Sequence, residues 1–190
     1  MPLSSISDVE VAVLTAPFGD EEIRGVVASD GTKCPGSDGF NFVFYKRFWN
    51  LLQGDVRIMF NQFYHSATLP RCFSSYFITL ILKVPSPSSL GDFRPISLMG
   101  SLYKLVAKVL AGRLAPVMDK IISSNQSVFI KGRQLVDGVV AVNEVIDFAR
   151  KARKECLVFK VDFEKAYDSI SWSFLEYMTK RLGFSARWCS

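Results

Sequence analysis

Asp162 is the carboxylate best placed for chemistry in this sequence, because the apolar run from Cys156 to Phe163 shows no clear polar face until Lys160 and Asp162. Such a run reads as a strand buried on both sides that surfaces at its carboxyl end, where a ligand can reach. A carboxylate there offers the hard oxygen that a cation such as Mg²⁺ prefers. A lone strand-end aspartate equally well ends a strand or caps a helix, so its neighbours must decide its weight. A second pair of residues brings two positive charges together. Lys83 closes the aromatic and β-branched run Tyr76 to Val84, and Arg94 stands early in the run Asp92 to Leu98. Turn residues from Pro85 to Gly91 lie between them, so a hairpin would set both charges beside its loop. A planar guanidinium matches phosphate oxygens in pairs and an ammonium offsets their charge. Two solvated charges on a hairpin are the plainer alternative.

These groups need elements to carry them. Asp20, Glu21 and Glu22 precede Ile23, Val26 and Val27, a placement that suits the positive end of a helix, and Gly31 is expected to stop it. The loop Lys33-Cys-Pro-Gly-Ser-Asp-Gly39 follows. From about Asn41 to Ser66, Trp49, Leu52, Val56, Met59, Phe60 and Phe63 recur at helical spacing and predict a core-facing stripe with a weak point at Gly54. Pro95 lacks a backbone donor, so the returning strand of the hairpin should be short or lie at an edge. Leu102, Leu105, Val106, Val109, Leu110 and Leu114 predict a helix over 101–118, with Lys104 and Lys108 on another face. A further helix is expected over 135–154, ending in Arg150, Lys151, Arg153 and Lys154. Ser173 and Glu176 form an apparent capping box before Phe174, Leu175, Met178 and Leu182, and Gly183 can close that helix.

Composition sets the frame. Hydrophobic residues make 49% of the 190 and charged residues 22%, which excludes disorder along the whole chain and points to one domain with a real core. The net charge of +5 is compatible with a nucleic-acid partner and does not by itself require one. Cys34, Cys72, Cys156 and Cys189 form no CxxC pair, arguing against a zinc site or a disulfide framework and for an intracellular, reducing compartment. No apolar stretch reaches the roughly 18 residues a membrane helix requires. His65 has no carboxylate or cysteine at ligand spacing and reads as structural.

The segment Phe159-Lys-Val-Asp-Phe-Glu-Lys-Ala-Tyr-Asp-Ser-Ile-Ser-Trp172 resembles the first catalytic motif of reverse transcriptases in the form found in LINE-type, non-long-terminal-repeat retroelements. Leu80-Ile-Leu-Lys-Val84 with Asp92-Phe-Arg-Pro-Ile-Ser-Leu98 resembles that family's fingers hairpin. Three further strings resemble the family in order: Lys33-Cys-Pro-Gly-Ser-Asp-Gly-Phe40, Tyr103-Lys-Leu105 and Asn125-Gln-Ser-Val-Phe-Ile-Lys-Gly-Arg-Gln134. The first departs from the usual Lys-Ala-Pro-Gly-Pro-Asp-Gly at Cys34 and Ser37, a change expected to affect loop stiffness more than chemistry. The resemblance runs from about Glu21 onward.

The resemblance implies an α+β fold, the fingers and partial palm of a right-hand polymerase, helix-rich with a short antiparallel fingers hairpin and one palm strand. Residues 20–155 would be fingers and fingers/palm helices, and 156–190 the start of the palm. It implies that Asp162 and the backbone carbonyl of Phe163 ligate Mg²⁺, that Lys83 and Arg94 hold the triphosphate of the incoming nucleotide, and that Tyr167 packs under its sugar. Asp168 is expected to fix the turn or cap the helix. Lys131 and Arg133, flanking Gly132, fit template or primer phosphate and fit a turn with solvated charges equally well. RNA template, DNA primer and deoxynucleoside triphosphates are the implied partners, with a nuclear or cytoplasmic location and no membrane. The family's paired aspartate is absent, since no two Asp residues are adjacent anywhere in the chain. Residues 1–190 alone are therefore expected to be inactive in sustained synthesis. The alternatives are a non-catalytic nucleic-acid-binding remnant and a packing or interaction module with no nucleic-acid role.

Overall fold

The computed structural model describes residues 4–29, 31, 33–126, 129–130, 132–159, 161 and 169–189. It is helix-rich, with one two-stranded antiparallel sheet among the described residues. The chain divides into two compact units, residues 16–112 and residues 1–15 with 113–190.

In the unit of residues 16–112, helix α2 (Asp20–Ser29), α3 (Phe42–Arg47), α4 (Trp49–Ser66) and the first part of α5 (Ser101–Ile121) surround one core. Its buried members are Ile23 and Val27, Phe42 and Tyr45, Val56 and Phe60, and Leu105, Val106 and Val109. Each fully buried side chain of this size contributes about 1.5–3 kcal/mol. The stripe read from the sequence is the one that packs: Trp49, Leu52, Met59 and Phe63 lie partly buried against Val56 and Phe60. The helix expected over 41–66 is two helices, and its break falls at Phe48 rather than at Gly54. Phe48 leaves helical geometry (φ −108°, ψ 20°) while its N–H still bonds Phe44 O at 3.0 Å, and its ring packs on Phe44. Gly54 sits inside an unbroken α4 because a ladder of i to i−4 bonds carries the chain through it. Strands β1 (Tyr76–Leu82) and β2 (Phe93–Met99) form the expected hairpin, in register Ile81 to Arg94 and Thr79 to Ile96. Pro95 takes its place opposite Leu80 in this two-stranded ribbon, where every strand is an edge.

The other unit packs Ile6 and Leu14 with Val117 of α5 and Phe184. Helix α1 (Asp8–Thr15), which the periodicity did not announce, is started by a capping box: Glu10 Oε2 accepts the Ser7 N–H at 2.8 Å and Ser7 Oγ receives the Glu10 N–H. Lys120 pairs with Glu10. That pair and the Ser7 bonds hold the Glu10 carboxyl at about 2. Helix α5 runs on to Ile121, through Pro116, which withholds a donor from the carbonyl four residues back. Helix α6 (Leu135–Lys151) stops short of 154 because Arg153 turns to φ 53°, and α7 (Trp172–Arg181) is closed by Gly183 at φ 90°. The cap of α7 is Ser171, which accepts the Phe174 N–H at 3.2 Å, not Ser173; Glu176 pairs with Lys180 instead. Helix α8 (Ala186–Cys189) ends the described chain.

The strand expected over 156–163 is a correction. Among its described residues, 156–159 and 161, there is no strand, and Leu157 and Phe159 are 93% and 85% exposed. A strand exists only where a neighbouring strand satisfies its backbone groups. Among the described residues β1 and β2 pair only with each other, and this apolar run pairs with neither. Residues 160, 162 and 163 lie outside the described residues.

Candidate nucleotide-binding hairpin

The hairpin sets Lys83 and Arg94 on one face. Arg94 is the partner of Ile81, and the Lys83 N–H donates to Asp92 O at 2.8 Å, which carries the ladder one pair further. Side chains alternate along a strand, so Lys83, two positions beyond Ile81, points to the side Arg94 occupies. Diagonal neighbours of this kind stand about 7–8 Å apart. Both residues are exposed. The Lys83 ammonium gives one of its three donors to Gly91 O at 2.8 Å, closing the loop across its own base.

Asp92 organises the same loop. Its carboxylate accepts the backbone N–H groups of Ser88 and Ser89 at 2.9 and 2.8 Å and the Ser89 hydroxyl at 3.1 Å. The Ser88 and Ser89 N–H groups hold the Asp92 carboxyl below its ordinary range. A formal negative charge is thereby folded into the loop, partly balancing Lys83 and Arg94 without an ion pair to either among the described residues.

Beneath the hairpin, a loop and two helices meet in a hydrogen-bonded chain. Asp38 Oδ2 accepts the Ser101 N–H and the Ser101 hydroxyl, both at 2.5 Å, and Ser101 Oγ lies 2.8 Å from Tyr45 Oη. A hydroxyl has one proton to give, so Ser101 donates to Asp38 and receives from Tyr45. Ser101 is 1% exposed. Burial pushes the Tyr45 phenol up. Asp38 thus caps the amino terminus of α5 from 63 residues away, satisfying an orphan N–H with a charge of favourable sign.

Arg133 is placed differently from the phosphate contact considered above. Its Nε and Nη2 bond Asp119 Oδ1 at 3.1 and 2.9 Å, Nη1 bonds Ser123 O and Gln126 O at 2.6 and 2.8 Å, and Nη2 also bonds Ile122 O at 2.8 Å. All five guanidinium donors are engaged, on Asp119 in the last turn of α5 and on carbonyls of the turn that follows it. Asp162, Phe163, Tyr167, Asp168 and Lys131 lie outside the described residues. Among the described residues no cluster of three or more His, Cys, Asp or Glu is arranged for a metal ion, and no helix is long and apolar enough to cross a membrane. All four cysteines are free thiols.

Asp38, Ser101 and Asp92 escaped the sequence reading as site-forming residues. The Pro-Gly-Ser-Asp-Gly loop was visible as turn chemistry, but nothing local marks which distant N–H an exposed aspartate reaches. Ser37 also proves chemical rather than merely a stiffness change: its hydroxyl donates to Ser75 O at 2.9 Å, a bond proline cannot make.

Comparison with known proteins identifies the family. The family model described as reverse transcriptase (RNA-dependent DNA polymerase) matches residues 81–190, taking in the hairpin from Ile81 onward. The chain is similar to the Transposon TX1 uncharacterized 149 kDa protein of Xenopus laevis, 29% identical over 156 residues, 82% of this chain and 12% of that protein. It is 25% identical over 161 residues, 85% of its length and 15% of the relative's, to the retrovirus-related Pol polyprotein from type-1 retrotransposable element R2 of Nasonia vitripennis. A probable RNA-directed DNA polymerase from transposon BS of Drosophila melanogaster is 27% identical over 130 residues, 67% of this chain and 14% of that protein. The chain therefore spans less than a fifth of the length of these relatives. Matched over more than half of its residues by that family model, the chain belongs to the reverse transcriptase (RNA-dependent DNA polymerase) family.

Proposed function

We propose that this chain carries the nucleotide-gripping fingers hairpin and the first catalytic aspartate of an RNA-directed DNA polymerase of the LINE-type retroelement kind. Residues 20–155 serve in this reading as fingers and fingers/palm helices, and 156–190 as the start of the palm. The observation that carries it is the common exposed face of Lys83 and Arg94 at the loop end of β1 and β2. Arg94 presents a fork to the triphosphate oxygens of a deoxynucleotide, and the Lys83 ammonium neutralises charge beside it. Tyr167 packs under the sugar, and the RNA template and DNA primer complete the substrate. Divalent ions, Mg²⁺ in this reading, would supply charge neutralisation during phosphoryl transfer, with Asp162 and the carbonyl of Phe163 as their holders.

The test is titration of the purified chain with deoxythymidine triphosphate and Mg²⁺. Losing a charge-assisted phosphate contact costs about 1.5–3 kcal/mol, so Lys83→Ala and Arg94→Ala should each weaken binding by about tenfold or more. Affinity indifferent to both substitutions would refute the reading. Primer extension on an RNA template complements it: without an adjacent Asp-Asp pair, residues 1–190 should not sustain synthesis. Synthesis that vanishes in Asp162→Ala would overturn that expectation.

A further inference from the structure

The loop Lys33 to Phe40 holds the hairpin at both of its feet. Ser37 Oγ donates to Ser75 O at 2.9 Å, immediately before β1 begins at Tyr76. Asp38 bonds Ser101 at 2.5 Å through both its N–H and its hydroxyl, two residues after β2 ends at Met99. Between these points the backbone of Gly36 lies so close to Met99 that a Cβ on it would stand 1.9 Å from Met99 O. Lys104 Nζ adds a bond to Cys34 O at 3.0 Å, tying the loop to the first turn of α5. Ser101 is buried and its hydroxyl is shared with Tyr45 of the core. The hairpin strands themselves have little else to hold them, since most of their large apolar residues, Phe77, Ile78, Leu80 and Ile81 among them, are exposed.

We infer that Asp38 and Ser37 are positioning residues for the nucleotide grip: they clasp the two feet of the β1/β2 hairpin to the helical core and so set where Lys83 and Arg94 stand. Neither touches the nucleotide. The physical case is leverage, because a two-stranded ribbon is marginally stable alone and keeps its direction only from what anchors its base. A carboxylate joined to both an N–H and a hydroxyl is a strong, short anchor, and one foot is fixed by charge while the other is fixed by a neutral bond. The proposal rests on the reading of Lys83 and Arg94 as the nucleotide grip, and it adds residues outside the matched stretch 81–190.

The experiment follows amide hydrogen exchange and deoxythymidine triphosphate affinity together in the purified chain. Loss of a helix cap of this kind should speed exchange by roughly five- to tenfold where the cap acts. Asp38→Ala is expected to do so at the end of β2 and the first turn of α5, leaving α2 and α4 unchanged, and to weaken triphosphate binding several-fold. Asp38→Asn keeps an acceptor of the same shape and should recover most of both effects. Ser37→Ala, a milder change that spares α5, should loosen the start of β1 alone, and Ser37→Thr should restore it. Exchange that does not rise in the hairpin, or rises equally in α2 and α4, would overturn the clasp. Weakened binding in Lys83→Ala and Arg94→Ala with unchanged affinity in Asp38→Ala would overturn the positioning role while sparing the nucleotide reading. Local loosening in Asp38→Ala with affinity blind to Lys83 and Arg94 would do the reverse, upholding the clasp and discarding the grip.

Discussion

Adding one methyl group at Gly36 should destabilise the chain, whereas adding one at Gly54 should stabilise it. At Gly36 an alanine Cβ would lie 1.9 Å from Met99 O, 2.3 Å from Met99 C and 2.7 Å from Gly100 N, all backbone atoms. Ordinary contact begins near 3.4 Å, so the loop must withdraw by more than an ångström from the end of β2. That withdrawal pulls on Asp38 and Ser37, whose bonds tolerate only tenths of an ångström before weakening. Overpacking of this severity costs about 1–3 kcal/mol, and loss of the α5 cap adds about 1 kcal/mol. At Gly54, exposed in the middle of α4, nothing lies within 4 Å of the new Cβ. There the gain is helix propensity, about 0.8–1 kcal/mol, because glycine surrenders more backbone freedom on folding. Thermal unfolding followed by circular dichroism separates the two. At about 2–4 °C per kcal/mol for a chain of this size, Gly54→Ala should raise the midpoint by roughly 2–4 °C and Gly36→Ala should lower it by at least as much. Equal midpoints for Gly36→Ala and the parent protein would refute the close approach of loop and strand, and with it the clasp.

Two other perturbations have definite signs. Arg133→Ala should cost about 2–3 kcal/mol, because it strips donors from the carbonyls of Asp119, Ile122, Ser123 and Gln126 and from the Asp119 carboxylate. Arg133→Lys should recover less than half of it, since an ammonium lacks the planar fork; full recovery in urea unfolding would deny the role of that fork. The third concerns acid. Glu10 titrates at about 2 in the folded chain against 4.5 ordinarily, so the unfolded chain takes up the proton first as pH falls. The Glu10 contribution is complete above pH 4.5 and lost progressively down to about 2. Glu10→Gln should flatten the acid limb of the stability profile over that window, and an unaltered limb would remove Glu10 from the account.

Much of the local structure is legible in the sequence because it is decided within one turn or one strand pair. The stripes Val56 with Phe60 and Leu105 with Val109 announce their helices and the faces they bury, and the turn residues between Val84 and Asp92 announce the hairpin. The register then sets Lys83 and Arg94 on one face, since alternation leaves no other side for them. What depends on distant partners is not legible. The apolar run from Cys156 has strand composition, but pairing is a property of two segments, and its described residues have no neighbouring strand. Arg133 reads equally as phosphate ligand or turn charge until the end of α5 curls around its guanidinium. Asp38 reads as a turn residue until Ser101, 63 positions later, comes to its carboxylate. Sequence determined the elements, because helical period and strand alternation are short-range. Tertiary structure decided which polar groups meet, because a buried N–H or a guanidinium is satisfied by whichever acceptor the fold delivers to it, and that acceptor can lie anywhere along the chain.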